Sequence, residues 1–172
     1  MFKPIFTIFF VYILSANAYA NIEVSFKDGA PKDKFELKNT SQCNVQSIEL
    51  TIDLSKSLGR LIFDTTASGK GVEVFQPFEV VIGQIKQNKD SQVSDGGEKL
   101  SLEIKEIEPN GFASFTIDVD DTLTTSELGN IRVTDNEIAG ALVMIDIKGK
   151  GTVTATFDEN GKALLIMPKC TP

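Results

Sequence analysis

The sequence predicts an all-β protein: an antiparallel β-sandwich, immunoglobulin-like or jelly-roll-like, of about ten short strands. Three observations carry this. Apolar and polar residues alternate in window after window, as in Ile22/Val24/Phe26, Ile48/Leu50/Ile52/Leu54 and Leu100/Leu102/Ile104; a period of two is the mark of a half-buried strand. Clusters of Gly, Pro, Asn and Asp separate these windows, and such residues break strands into turns. No window sustains a 3.6-residue period, so the helices that parallel crossovers need are missing.

Taken in order, Asn21 to Lys27 reads as the first strand and Asp28-Gly29-Ala30-Pro31 as a turn. Phe35 and Leu37 mark a second strand. The polar loop from Asn39 to Asn44 holds Cys43 and an Asn39-Thr40-Ser41 triplet, which matters only in a eukaryotic secretory route. Ser47 to Leu54 and Arg60 to Thr65 are further strands, with a turn at Lys56 to Gly59. Val72 to Ile85 is the most apolar stretch after the N-terminus. Pro77 within it cannot donate to a ladder, so a bulge, an edge or a change of sheet is expected there, and Gly83 marks a second irregularity. Lys86 to Glu98 reads as a long polar surface loop.

Lys99 to Ile107 and Phe112 to Asp120 flank Pro109-Asn110-Gly111, a turn signal in which Gly111 is free to adopt positive φ, and this predicts a hairpin. Thr122 to Leu128 suits one helical turn, and Ile131 and Val133 a short strand. Glu137 to Ile147 follows, its Ala139-Gly140-Ala141 predicting close approach to another backbone. Gly149 and Gly151 turn the chain. Thr152 to Phe157 and Ala163 to Met167, around Asp158-Glu159-Asn160-Gly161, predict a closing hairpin.

Residues 1–20 read as an export signal: Lys3, an apolar run from Ile5 to Leu14, then Ala18-Tyr19-Ala20 as a small-x-small cleavage site. The run is too short to span a bilayer as a helix. Residues 21–172 form one β-sandwich domain, secreted or periplasmic, with no membrane insertion after signal cleavage. Loss of Lys3 takes the formal net charge from −7 to −8, an acidic balance that argues against nucleic acid and suits cations or cation-bridged partners. Cys43 and Cys170 are the two cysteines, and in an oxidising compartment they are expected to pair and staple the C-terminal tail.

There is no His, which excludes Ser-His-Asp and Cys-His catalysis and the His ligands common at zinc sites. No catalytic residue is assigned. On the 112–120 strand Phe115, Ile117 and Val119 face one way, and Thr116, Asp118 and Asp120 the other. Asp118, Asp120 and Asp121 are the candidate metal ligands. Carboxylates at i and i+2 on one strand face stand about 6.5 Å apart at the backbone, within reach of one calcium ion. The spacing is not an EF-hand, since Leu123 stands where Gly is required. Further ligands would come from Asp135, Asn136 and Glu137, or from Asp64 and Asp53. The opposing reading is a solvated acidic strand that discourages sheet pairing. Asp158, Glu159 and Asn160 are explained by a turn. Glu73 and Glu79, flanking the VFQPF segment, are a weak glycosidase pair, and Phe75 and Phe78 read as core.

GVEVFQPFEVV at Gly71 to Val81 and SFTIDVDDT at Ser114 to Thr122, with LTIDL and LIFDTT before them, resemble secreted bacterial proteins named after the sponge aggregation factor core protein. The likeness spans Ile22 to Ile147. It implies a self-associating extracellular protein that works with calcium and glycans and has no catalytic residues. Only Asp118, Asp120 and Asp121 carry over, as an acidic motif. The expectation is a non-catalytic binding or adhesion domain in cell-surface aggregation or matrix assembly, with a protein or glycan partner, a second copy included. The alternatives are a carboxylate-based glycoside hydrolase and a periplasmic carrier of an apolar ligand.

Overall fold

A computed structural model describes residues 19–29, 32–71, 76–89, 91–124 and 133–169. Among them are eleven strands: β1 Tyr19–Lys27, β2 Asp33–Asn39, β3 Val45–Asp53, β4 Ile62–Asp64, β5 Glu79–Ile82, β6 Ile85–Gln87, β7 Lys99–Ile107, β8 Phe112–Asp120, β9 Leu142–Ile147, β10 Gly151–Thr156 and β11 Lys162–Lys169. They form the expected antiparallel β-sandwich. One sheet runs β11-β1-β2-β8, with β4 and β5 both paired to the far side of β8; the other runs β10-β9-β3-β7-β6. No described helix is long and apolar enough to cross a membrane.

The alternating residues meet between the sheets. Ile22, Val24, Phe35, Leu37, Phe115 and Ile117 of the first sheet are fully buried, as are Leu50, Ile52, Leu100, Leu102, Val143 and Ile145 of the second. Phe35 stacks on Phe115 with ring centroids 5.2 Å apart, and Phe26 and Phe78 extend the group at 5.1 and 5.3 Å. Each such side chain contributes about 1.5–3 kcal/mol of burial free energy.

Two expected hairpins are corners instead. β7 pairs with β3 and β6, whereas β8 pairs with β2, β4 and β5, so the 108–111 turn carries the chain from one sheet to the other. Asn39, wholly buried at the end of β2, explains why. Its Nδ2 donates to the carbonyls of Ile107, Glu108 and Cys43 at 3.1, 3.0 and 2.7 Å, tying this corner to the β2–β3 corner beside it. The positive φ falls on Asn110, at 57°, and not on Gly111, because Asn110 turns its N–H onto the Ser41 carbonyl. The Asn39 side-chain amide, engaged with three carbonyls, is closed to glycosylation.

β10 and β11, expected to form the closing hairpin, belong to opposite sheets. Asp158 Oδ1 accepts the N–H groups of Asn160 and Lys162 at 2.9 Å each, closing a corner. The true hairpin is β9–β10, turned at 148–150 with Gly149 at φ 76°. The apolar Val72 to Ile85 stretch is also split. Residues 72–75 lie outside the described residues; Pro77 precedes β5. The change of sheet falls at Gly83, where φ is 89° and an added Cβ would press on Ala113 at 3.3 Å. Val133 is buried but lies in no strand. Ile131 and most of the expected helical turn at Thr122 to Leu128 lie outside the described residues, as do Cys170 and residues 1–18. No described cysteine is a free thiol. Gly140 meets the expectation of close approach: an added Cβ would lie 2.5 Å from the Lys56 carbonyl oxygen.

Candidate functional site

Alternation puts Asp118 and Asp120 on the outward face of β8, in solvent. The structure corrects this. Asp118, Asp120 and Asp121 are only 7, 1 and 2 % exposed, so the acidic strand is not the solvated edge of the opposing reading. The cause is local. β4 pairs with residues 118–120 of β8, and the loop that leaves β4 folds back over them. Gly71, its last described residue, comes so close that an added Cβ would lie 2.3 Å from Asp120 Oδ2 and 2.4 Å from Asp64 Oδ2. Carboxylates from two strands therefore point at one place.

Asp64 ends β4 directly opposite Asp118 and is wholly buried. It was among the candidate extra ligands, and the fold brings it in. Asp53 stays out, paired with Lys99 at 3.1 Å and bound to the Ser55 N–H. Glu137 accepts from Thr134 N and Oγ1, closing its own turn. Glu79 is exposed and pairs with Lys32; Glu73, the other half of the glycosidase pair, and Phe75 lie outside the described residues. Asp158 is held below the usual carboxylate range by the Lys162 N–H, as a turn residue should be.

Two members of the cluster were not legible as such. Asp33 begins β2 and is 4 % exposed. Its Oδ2 accepts the Val119 N–H at 2.9 Å, standing in for the strand that β2 no longer provides beyond Ile117. Asp95, in the long loop before β7, accepts the N–H groups of Thr65, Thr66 and Lys70 and so pins the 65–71 loop. A signal for Asp33 existed, an acid opening an apolar alternation, but turn chemistry explains that pattern equally well.

The electrostatics are those of crowded acids. Burial, then the charges of Asp120 and Asp64, push Asp118 up to about 7. Burial, opposed by the Thr66 N–H and reinforced by Asp95 and Asp120, brings Asp64 to about 6. Burial takes Asp33 to about 8 despite the N–H bonds from Val119 and Gly29. Asp95 goes the other way, to about 2, because the Thr65 and Lys70 N–H groups solvate its charge.

Asp64 Oδ2, Asp118 Oδ2 and Asp121 Oδ2 are buried and meet no hydrogen-bond donor. No described Lys or Arg forms an ion pair with these three residues; the described pairs engage Glu79, Glu36, Asp53 and Glu23. Orphaned buried acceptors are costly, and charged ones more so. Either protons or a cation must offset them. As they stand, no three acidic side chains among the described residues are grouped tightly enough to hold an ion, so a cation would have to draw them together.

Two surface cavities are lined by other residues. The larger, about 780 Å³, opens over the β9-β3-β7-β6 face among Glu49, Glu103, Asp146, Lys86, Lys105 and Lys148. Glu49 stands in register with Glu103 on one side and Asp146 on the other. The smaller, about 210 Å³, lies at the β6–β7 end beside Phe112. No protein-family model matches the chain, nor does any curated protein or any solved structure.

Proposed function

We propose that this protein is exported by its first twenty residues and acts outside the cytoplasm as a non-catalytic binding or adhesion domain, in cell-surface aggregation or matrix assembly. Calcium, held near Asp118, Asp120 and Asp121, conditions the acidic end of the sandwich. The observation that carries this reading is the set of buried carboxylate oxygens on Asp64, Asp118 and Asp121 that meet no donor. A hard cation with an appetite for oxygen ligands satisfies them, and calcium, tolerant of irregular geometry, suits a site assembled from two strand ends. Because the cluster is enclosed, the ion's role is to stiffen that end rather than to bridge two molecules.

Contacts with a partner fall to the surface. Val80, Val81 and Ile82 on β5, and Leu164 and Ile166 on the edge strand β11, are exposed. Apolar side chains on sheet edges support pairing with protein, a second copy included. The likeness to the aggregation factor core protein points the same way. A Cys43–Cys170 bridge is part of this reading, as suits an oxidising compartment.

A second reading, hydrolysis by carboxylates, draws on Glu49 and Glu103, which face each other within the larger groove. The groove's three lysines argue for a solvated face instead. The apolar-carrier alternative requires an aliphatic cavity, and both described cavities carry charged residues on their walls, Glu49, Glu103 and three lysines in the larger and Glu106 and Glu108 in the smaller.

The test is calorimetry and light scattering of the purified protein with and without calcium. At a hundredfold excess over Kd, calcium should add about 2.7 kcal/mol by mass action, roughly 5–10 °C in Tm. Absence of any shift at 10 mM calcium removes the ion from this reading. A monomeric mass at every concentration, with or without calcium, removes self-association.

A further inference from the structure

We infer that the cation site is completed across the sheet by Asp64, and that the 65–71 loop is its closing wall, fixed in place when the ion binds. This rests on the calcium reading above and goes beyond it by naming the missing ligand and the segment that the ion controls.

Four observations converge. Asp64 faces Asp118 in register. Both are more than nine-tenths buried, and each has one oxygen with no donor. Gly71 leaves no room for a side chain, because Asp64 Oδ2 and Asp120 Oδ2 occupy the place of its Cβ. Asp95 grips the loop through the N–H groups of Thr65, Thr66 and Lys70, so the loop is tied near both ends and abuts the carboxylates at Gly71. The chain thus holds the loop's backbone against the acids with nothing positive between them on the described side chains. A divalent cation of calcium's size, which gathers six to eight oxygens, would take carboxylates from β4 and β8 and add carbonyls or water. Drawing Asp64 toward Asp118 pulls on the loop that continues directly from Asp64. Neutralisation of the cluster removes the repulsion that loosens it. Affinity in the range of extracellular modules, roughly 10⁻⁴ to 10⁻³ M, follows from a site that must reorganise to close.

Lys70 supplies a local readout, since it is exposed within this loop. Trypsin cleavage after Lys70, followed by mass spectrometry, reports opening of the loop, and titration calorimetry with calcium chloride reports binding. In the unaltered protein, 10 mM calcium should slow this cleavage at least tenfold. Asp64→Asn should weaken calcium binding at least tenfold and abolish the protection, while Asp158→Asn, in a turn, changes neither. Gly71→Ala tests the same wall from the loop side and should lose protection, with its fold checked by circular dichroism. Calcium binding by Asp64→Asn within twofold of the unaltered protein would overturn the inference and leave the calcium reading intact. Binding without protection at Lys70 would refute the loop's part. No binding by the unaltered protein would sink both.

Discussion

Asp118 on β8 stands directly across from Asp64 on β4, one carboxylate facing another in an antiparallel pair that solvent barely reaches. Like charges so placed oppose folding. Nothing in the packing of this end requires them: β8 is already anchored by Phe115 and Ile117 a few residues earlier. A destabilising pair kept inside a well-packed sandwich is the pattern of a site whose ligand supplies the balance.

Neutralising one partner should therefore stabilise the empty protein. Asp118→Asn keeps the shape and removes the charge. In EDTA its melting temperature should rise, by about 1 kcal/mol of stability or roughly 2–4 °C. In millimolar calcium the order should reverse, because the variant gains less from the ion. Thermal denaturation of both proteins in both buffers checks the crossing. A variant less stable in both would show that Asp118 serves the fold alone.

Stability without calcium should fall as pH rises. Burial raises Asp33 from 3.8 to about 8 in the folded protein, so between those values the native state holds a proton that the unfolded chain releases. The stability this gives is complete below about pH 4 and gone above about pH 8. Asp118, raised to about 7, and Asp64, raised to about 6, act in the same direction. For Asp33 the loss between pH 5 and 8 is at most about 4 kcal/mol. Urea midpoints across that range should decline, and Asp33→Asn should flatten the decline.

The alternation that exposed the sandwich in the sequence also hid its site. Inward residues such as Ile22, Leu50 and Phe115 obey period two, and the structure buries all of them. The same rule sends Asp118 and Asp120 outward, which is true of the sheet but not of the solvent, because the loop that follows β4 covers that face. Local pattern does not encode what covers an outer face. Nor does it encode which sheet a strand joins: the 108–111 turn has hairpin chemistry, yet the Asn39 side chain, distant in sequence, decides that it is a corner. Asp33 and Asp95 were opaque for the same reason, since each acts on backbone far along the chain.

The aromatic stack sets the stability of the first sheet. Phe115 is fully buried between Phe35 and Phe78. Phe115→Ala should cost about 3–5 kcal/mol, a transfer loss plus a cavity. Phe112, three residues earlier, is 43 % exposed, with Lys38 Nζ 5.6 Å from its ring centre. Its replacement by Ala should cost about 1 kcal/mol or less. Denaturant unfolding of the pair separates core from surface on one strand.

Tryptic mapping without reductant should recover Cys43 linked to Cys170. A bridge closing so long a loop is worth roughly 2–5 kcal/mol, so dithiothreitol should lower the melting temperature by several degrees. An intact mass showing two free thiols would exclude the staple.

Asn39 offers the sharpest test of the corner that replaces the expected hairpin. Its amide nitrogen serves three carbonyls from two segments, and its Oδ1 accepts from the Ser41 N–H and hydroxyl at 3.1 and 2.7 Å. Asn39→Ala strands the buried carbonyl of Ile107, at about 1–3 kcal/mol for a group left unpaired, and releases the part-buried carbonyls of Glu108 and Cys43. Asn39→Asp keeps the acceptor but sets a buried negative charge against three carbonyl oxygens. It should be the worse of the two, by the added cost of an unpaired charge. The order of the two variants in urea unfolding distinguishes a donor that locks two corners from a merely well-packed side chain, for which the near-isosteric Asp would be the milder change.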